Sequence, residues 1–305
     1  MEINWLGKGF MENPLQTLVW DGRRRRDWFW NWGRGGGLYH KKGIKNMYER
    51  DIISQKRKII QMVYESKREA HLSPAMSILE ILNVLLREIM YVENGDLDHC
   101  DSDRLVISKG HASLALYALY EHLGYISKND FYSFQKRNSK YGVHPDRHKV
   151  LGVSVSTGSL GHGLPNAVGI AYAWKLQKRK NRIYVIVGDG ELNEGSNWES
   201  MIFASRFGLI NICCIVDNNG SFDNMPQLDE KFRAFGWETT VMDGHDEDQI
   251  RKALSKRPKA PYAIIANTVK GKGIGIMEKD HAGWHHKGIS EEDYQNIMGD
   301  LECYE

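Results

Sequence analysis

The sequence predicts a doubly wound α/β fold, a mostly parallel sheet with helices on both faces. Three observations point to it. Short apolar runs recur along the chain and alternate with segments of helical period. Such alternation implies crossover connections and a sheet buried on both faces. Two of the runs, "RIYVIV" and "LINICCIV", end in polar turns that carry oxygen ligands. Ligands of open α/β sheets gather at those carboxyl ends of the strands.

Residues 1–46 stand apart. They contain "RRRRDWFWNWGRGGG", with no helical or strand period. Arginines on phosphate and tryptophans stacked on bases would make an RNA-binding arm. A disordered low-complexity tail, or translation upstream of a start at Met47, is the other reading and the one adopted here. The folded domain is expected over 47–305.

From there the pattern is regular. "RDIISQKRKIIQMVYESKREA" places Ile52, Ile59, Ile60, Met62 and Val63 at helical spacing. "SPAMSILEILNVLLREIM" predicts a second helix, with Ser73 as N-cap and Pro74 at the first helical position. "RLVIS" reads as a strand and "HASLALYALYEHLG" as the helix after it. "GLPNAVGIAYAWKLQKRK" is a small-residue helix ending in bases, as a helix C-terminus favours. Then follow "RIYVIV" (strand), "NWESMIFASRFG" (helix), "INICCIV" (strand), "WETTVMDG" (strand), "DEDQIRKALSK" (helix) and "YAIIANTV" (strand).

Composition narrows the function classes. The 305 residues are 41% hydrophobic and 26% charged, with a net charge of +2, so no global field favours nucleic acid or a membrane surface. The longest apolar runs are too short to span a bilayer. No apolar segment follows the N-terminus, so no secretory signal is expected. Cys100, Cys213, Cys214 and Cys303 fit neither a disulfide framework nor a zinc spacing. Cys213 and Cys214 are adjacent in a strand and should point to opposite faces. A reducing, cytoplasmic setting is the expectation.

The chemistry concentrates in "GDGELNEG" and "VDNNG". Asp189 lies just past one strand and Asn219 just past the next. A carboxylate and an amide oxygen make a hard, incomplete site that suits Mg²⁺ (or Ca²⁺) completed by phosphate oxygens. Either turn alone is more often structural than functional; their joint placement favours metal and phosphate. Upstream, "STGSLGHGLPNAVG" sets a glycine-rich turn before a helix, where free N–H groups bind phosphate. Histidines come from separate loops: His71, His111, His144, His285 and His286. Gathered at one sheet edge, they would line a polar pocket and move protons near neutral pH.

These pieces, "SKGHASLALYALYEHLGY", "VHPD", "STGSLGHGLPNAVGIAYA", "GDGELNEGSNWE", "VDNNGSFDN", "RAFGWE", "DGHD", "VKGKG" and "GWHHK", resemble the diphosphate-binding half of transketolase in family order. The resemblance implies the thiamine-diphosphate-binding fold and thiamine diphosphate as cofactor. It implies Mg²⁺ held by Asp189, Asn219 and the Ser221 carbonyl, and the diphosphate met by the Gly190 and Glu191 backbone. Leu160 and Gly161 would meet the cofactor near its pyrimidine. His71, His111, His144 and His285 match the family's substrate and diphosphate histidines, and Glu194 and Glu199 its subunit-interface glutamates.

The chain departs from the family at "LSPAM" after His71, at His162 in the anion turn, and at "FDN" (222–224). The family's pyrimidine-binding domain, with its glutamate for the aminopyrimidine ring, is not matched. The resemblance therefore implies the N-terminal subunit of a two-component transketolase. Its partner would be a C-terminal subunit carrying the pyrimidine-binding domain, and its substrates sugars or sugar phosphates. Nucleic acid and membrane are not expected partners. Another thiamine-diphosphate acyl or ketol transferase and a non-catalytic scaffold subunit stay open as alternatives.

Overall fold

In the computed structural model, which describes residues 38–221 and 225–302, five strands form one sheet. They are β1 (Arg104–Ile107), β2 (Ile183–Gly188), β3 (Ile212–Asn218), β4 (Glu238–Asp243) and β5 (Tyr262–Asn267). The order is β1–β2–β3–β5–β4, and every pairing is parallel. All five coincide with expected strands. The Arg/Trp-rich stretch, the "FDN" departure and Cys303 lie outside the described residues.

Side chains alternate across the sheet and build a core on each face. Tyr184, Ile186, Cys213, Ile215, Tyr262 and Ile264 enter one apolar cluster. Ile183, Val185, Val187, Ile212, Cys214, Val216, Ala263 and Ile265 enter the other. Cys213 and Cys214 thus point to opposite faces, as the strand period requires. Both are free and buried; burial pushes the Cys213 thiol up to about 12 and that of Cys214 up as well, so neither is a reactive thiol.

The first face is covered by helices that precede β2 and by one between β4 and β5. α1 runs Leu38–Ser66, so the expected boundary between residues 46 and 47 falls inside a helix. Ile52, Ile59, Ile60, Met62 and Val63 are all buried, which matches the spacing argument. α2 (Ser73–Met76) and α3 (Leu79–Val84) follow, with α3 passing into a π-helical turn at Leu85–Ile89. Gln55 of α1 and Asn83 of α3 exchange two amide hydrogen bonds of 3.0 and 2.9 Å, satisfying two buried polar groups at once.

Two expectations are corrected here. The stretch 73–90 is not one helix, because the backbone breaks at Ile78 (φ −119°, ψ 5°). Ser73 is not an N-cap either. It lies inside α2, the flanking Leu72 makes no side-chain cap bond, and the Ser73 hydroxyl donates to the Trp284 carbonyl at 2.9 Å. The break leaves the Ser77 hydroxyl free to reach across to β3, where it donates to Asp217 at 2.6 Å.

α4 (Ser113–His122) and α5 (Lys128–Phe131) complete the run before the anion turn. α6 (Gly163–Leu176), α7 (Gly195–Arg206) and α8 (Leu228–Ala234) cover the second face, and α9 (Glu247–Leu254) joins the first. α10 (Gly275–Lys279) and α11 (Glu291–Glu302) close the chain against α1 and its neighbours. None of the described helices is long and apolar enough to cross a membrane.

The start of α6 is pressed onto the end of β1. A Cβ added at Gly163 would lie 2.3 Å from Ser108 Oγ and 2.6 Å from Ser108 Cα, closer than atoms tolerate. Gly163→Ala should therefore force helix and strand apart and cost about 1–3 kcal/mol, the usual range for overpacking. Urea unfolding of the purified chain measures this. An unchanged midpoint would mean that α6 does not sit on Ser108.

Candidate active site

β2 and β3 are neighbours in register, with Gly188 opposite Asp217. The residues just past them, Asp189 and Asn219, therefore enter one crevice. Asp189 Oδ2 and Asn219 Oδ1 both accept from the Ser221 N–H, at 3.0 and 3.1 Å. Asp189 Oδ1 accepts from the Gly190 N–H at 2.8 Å. The Ser221 hydroxyl also donates to Asn219 Oδ1, and Lys270 Nζ donates to that hydroxyl at 3.0 Å. The three residues expected at the metal are thus linked through the Ser221 N–H and hydroxyl rather than its carbonyl.

Burial raises the Asp189 carboxyl above its ordinary value; the Gly190 N–H opposes this, and the nearby Asp217 charge adds to it. Lys270 is buried beside it. Burial and the charge of Lys109 lower its ammonium, while Asp189 and Asp217 pull it back up. Two oxygens converging on a single N–H, one of them on a carboxylate held back by burial, fit a hard divalent cation. The adjoining lysine fits the anion that such a cation would carry.

The glycine turn is held by a carboxylate of its own. Glu191 is buried; its Oε1 accepts from Gly161 N–H at 3.0 Å and from the Ser108 hydroxyl, and its Oε2 from Gly188 N–H at 3.2 Å. The resemblance places only its backbone at the diphosphate, so this side-chain clamp is a finding of the tertiary structure. Burial raises the Glu191 carboxyl against the pull of those three bonds. Gly161 has φ +81°, and a Cβ there would lie 2.5 Å from Glu194 Cβ, so only glycine fits. Leu160 stands half-buried beside it, and no side chain caps the start of α6.

The histidines meet around His71. Its ring centroid lies 5.6 Å from His111, 5.7 Å from His144, 5.3 Å from His285 and 4.5 Å from His286. His111 and His285 are 5.2 Å apart. A short antiparallel bridge between Ala70 and Lys287 and the bonds from Ser73 to the Trp284 carbonyl draw these distant segments together. His71 Nδ1 is buried without a hydrogen-bond partner, a socket for a ligand atom. Despite the "LSPAM" departure, His71 is the centre of the group.

Burial, and then neighbouring positive charge, keep these rings neutral. His71 is lowered to about 3 by burial and by His286, His285, His144 and Lys270. His111 is lowered to about 2 by burial, Lys109, His285, His71 and Lys270. His285 is lowered to about 4 by burial, Lys270, Lys109 and His286, and His144 is lowered by burial and His286. The charge of Lys270 acts on three of these rings, and its Nζ also bonds the Ser221 hydroxyl, so this lysine links the imidazole group to the Asp189–Asn219 pair.

Sequence reasoning did not single out Lys109, Asp217, Lys270, Ser77, Thr268 or, as a site residue, His286. Lys109 and Lys270 stand inside quoted motifs. Asp217 carried a signal of its own: an acid closing the buried run "ICCIVD" needs a partner. Glu194 and Glu199 are both exposed.

The neutral imidazoles set a pH dependence. In the unfolded chain they bind protons near their ordinary value of about 6.5, whereas folded His71 and His285 do so only at about 3 and about 4. Their contribution to stability is whole above about pH 6.5, drains as pH falls, and levels off below the folded values. Thermal melts of the full chain from about pH 7 down to pH 4.5 should show falling midpoints. His71→Gln should flatten that slope. An identical slope in the variant would show that His71 is not held neutral.

Comparison with known proteins agrees with this geometry. Residues 48–301 match the family model described as transketolase, thiamine diphosphate binding domain. The chain is 38% identical over 249 residues to one named subunit of the apulose-4-phosphate transketolase of Actinobacillus succinogenes, covering 78% of this chain and 90% of that protein. It is 37% identical over 240 residues to human transketolase, covering 76% of this chain but only 38% of that protein. Among solved structures, transketolase from Leishmania mexicana superposes with a TM-score of 0.74 at 28% identity, over 84% of this chain and 41% of that one. Transketolase from Campylobacter jejuni gives 0.72 at 29% identity, over 85% and 45%. With its parallel sheet, its oxygen pair past β2 and β3 and its ring of histidines, the chain belongs to the transketolase family through the thiamine-diphosphate-binding domain.

Proposed function

We propose that this chain is the diphosphate-binding subunit of a two-component transketolase. It would move a two-carbon ketol unit from a ketose to an aldehyde, both sugars or sugar phosphates, in a reducing cytoplasm. The observation that carries the reading is the pairing of the Asp189 and Asn219 oxygens at one N–H, joined through Lys270 to a group of five imidazoles. Asp189, Asn219 and Ser221 would hold Mg²⁺ (or Ca²⁺) between protein and diphosphate. When bound, thiamine diphosphate supplies the nucleophilic carbon of the transfer. The chain's own groups bind and orient. Lys270 and the start of α6 would face the diphosphate charge, and Leu160 and Gly161 would border the ring end. His71, His111, His144 and His285, neutral at pH 7, accept hydrogen bonds from substrate hydroxyls and take or return protons there.

A partner that carries the pyrimidine-binding domain completes this reading. The split relatives support it, since this chain spans 90% of proteins that are themselves named as one subunit of a transketolase. The surface supports it as well. Leu176, Ile202 and Ile210 are more than half exposed, next to an aromatic group in which Phe203 lies 5.3 Å from Tyr172 and 4.4 Å from Phe207. Apolar surface of this kind marks a protein interface.

Two measurements test the proposal. Asp189→Ala should abolish Mg²⁺-dependent thiamine diphosphate binding by the assembled complex, read by calorimetry, while the fold persists; unchanged cofactor affinity would remove Asp189 from the metal site. The purified chain with thiamine diphosphate and Mg²⁺ should show no ketol transfer until a pyrimidine-domain subunit is added. Turnover by the chain alone would sink the two-component reading.

A further inference from the structure

Beneath the oxygen pair lies a polar cluster that the catalytic reading does not use. Asp217, the penultimate residue of β3, has no exposed surface. Its Oδ2 accepts from the Ser77 hydroxyl at 2.6 Å, from Asn219 Nδ2 at 3.0 Å and from Lys109 Nζ, and its Oδ1 accepts from the Thr268 hydroxyl. Lys109 is equally buried and also reaches the Pro74 carbonyl at 3.2 Å. Lys109 and Asp217 thus form an ion pair closed to solvent.

We infer that Asp217 is the positioning residue that orients the Asn219 amide for the metal, with Lys109 as its counter-charge. The inference rests on the Asp189–Asn219 metal reading. A primary amide has an oxygen at one end and an N–H donor at the other, and a cation needs the oxygen. An ionised carboxylate accepts only, so Asp217 admits the NH₂ end of Asn219 and no other. Asn219 Oδ1 is thereby turned to the Asp189 side, where both oxygens meet the Ser221 N–H. Lys109 supplies the second half of the device. It cancels the charge of Asp217, so the crevice presents one carboxylate, Asp189, to the cation. Because the Asp189 N–H also bonds the Asp217 carbonyl at 3.2 Å, the two strand ends move as one body.

The test replaces the acceptor by an amide and then restores the logic by exchange. In Asp217→Asn, position 217 can offer either end of an amide, so the Asn219 oxygen is no longer forced toward the metal. Mn²⁺ affinity of the assembled complex with thiamine diphosphate, read by electron paramagnetic resonance, should weaken roughly 10–100-fold, as for other residues that orient a metal ligand. In the exchange variant Asp217→Asn/Asn219→Asp, total charge is kept, and the carboxylate at 219 has an oxygen at both ends. Mn²⁺ affinity should return to within a few-fold of the wild type. Thr268→Val, which removes one bond to Asp217 without touching Asn219, should lower the melting temperature and leave Mn²⁺ affinity unchanged. Equal Mn²⁺ affinity in wild type and Asp217→Asn would overturn the inference alone. Failure of the exchange to restore affinity, in a variant with a wild-type melting temperature, would also overturn it. Absence of Mn²⁺ binding by the wild type would overturn the metal reading and the inference with it.

Discussion

The Asp217 carboxylate gathers the site. Four segments meet on it: the break between α2 and α3 through Ser77, the turn after β1 through Lys109, the end of β3 through Asn219, and the turn after β5 through Thr268. None of these contacts is local except that of Asn219. A buried ion pair is a weak source of net stability, because each ion loses hydration worth several kcal/mol on burial. Breaking one by removing a single partner is another matter, typically costing about 3–5 kcal/mol. Such a pair secures geometry, and here the geometry is that of the strand ends that face the crevice.

Charge is layered outward from that pair. Lys109 and Asp217 neutralise one another at the bottom. Above them stands Asp189, a carboxylate raised by burial, with Lys270 close by. Outermost are five imidazoles around His71, four of them held below their ordinary value. Burial, and after it repulsion from neighbouring lysines and histidines, keeps those four neutral at pH 7. Neutral imidazole has one donor and one acceptor nitrogen, which suits recognition of sugar hydroxyls. A cluster of protonated rings would instead repel a cation bound at Asp189.

Outside the crevice the same helices that carry the anion turn and the "GDGELNEG" motif expose apolar side chains. Leu176 of α6 and Ile202 of α7 reach solvent, while the inner sides of those helices bury Leu164, Ala167, Met201 and Ala204. α6 and α7 are therefore apolar on two sides, a pattern that a helix at the edge of an isolated domain does not need. The exposed side lies on the same two helices that follow the anion turn and the "GDGELNEG" motif.

The five strands, their parallel direction and the two-faced core could be read from the residues, because apolar period is a local property and alternating helices imply crossover connections; the order β1–β2–β3–β5–β4 came from the structure. Asp189, Asn219 and the glycine turns were legible for the same reason: each follows directly from a strand or precedes a helix. Ser73 was misread because a hydroxyl before a proline looks like a cap, whereas the partner that claims it, the Trp284 carbonyl, is far away in the chain. The helical period over 73–90 concealed a break whose purpose, Ser77 on Asp217, is likewise non-local. The grouping of His286 with His71 depends on the bridge from Ala70 to Lys287, and the side-chain role of Glu191 on a glycine amide in another loop. Sequence by itself determined which residues sit at strand ends, since that depends on neighbours along the chain. Only the tertiary structure decided which of them touch, since a buried charge or an orphaned donor is satisfied by whatever the fold brings within about 3 Å.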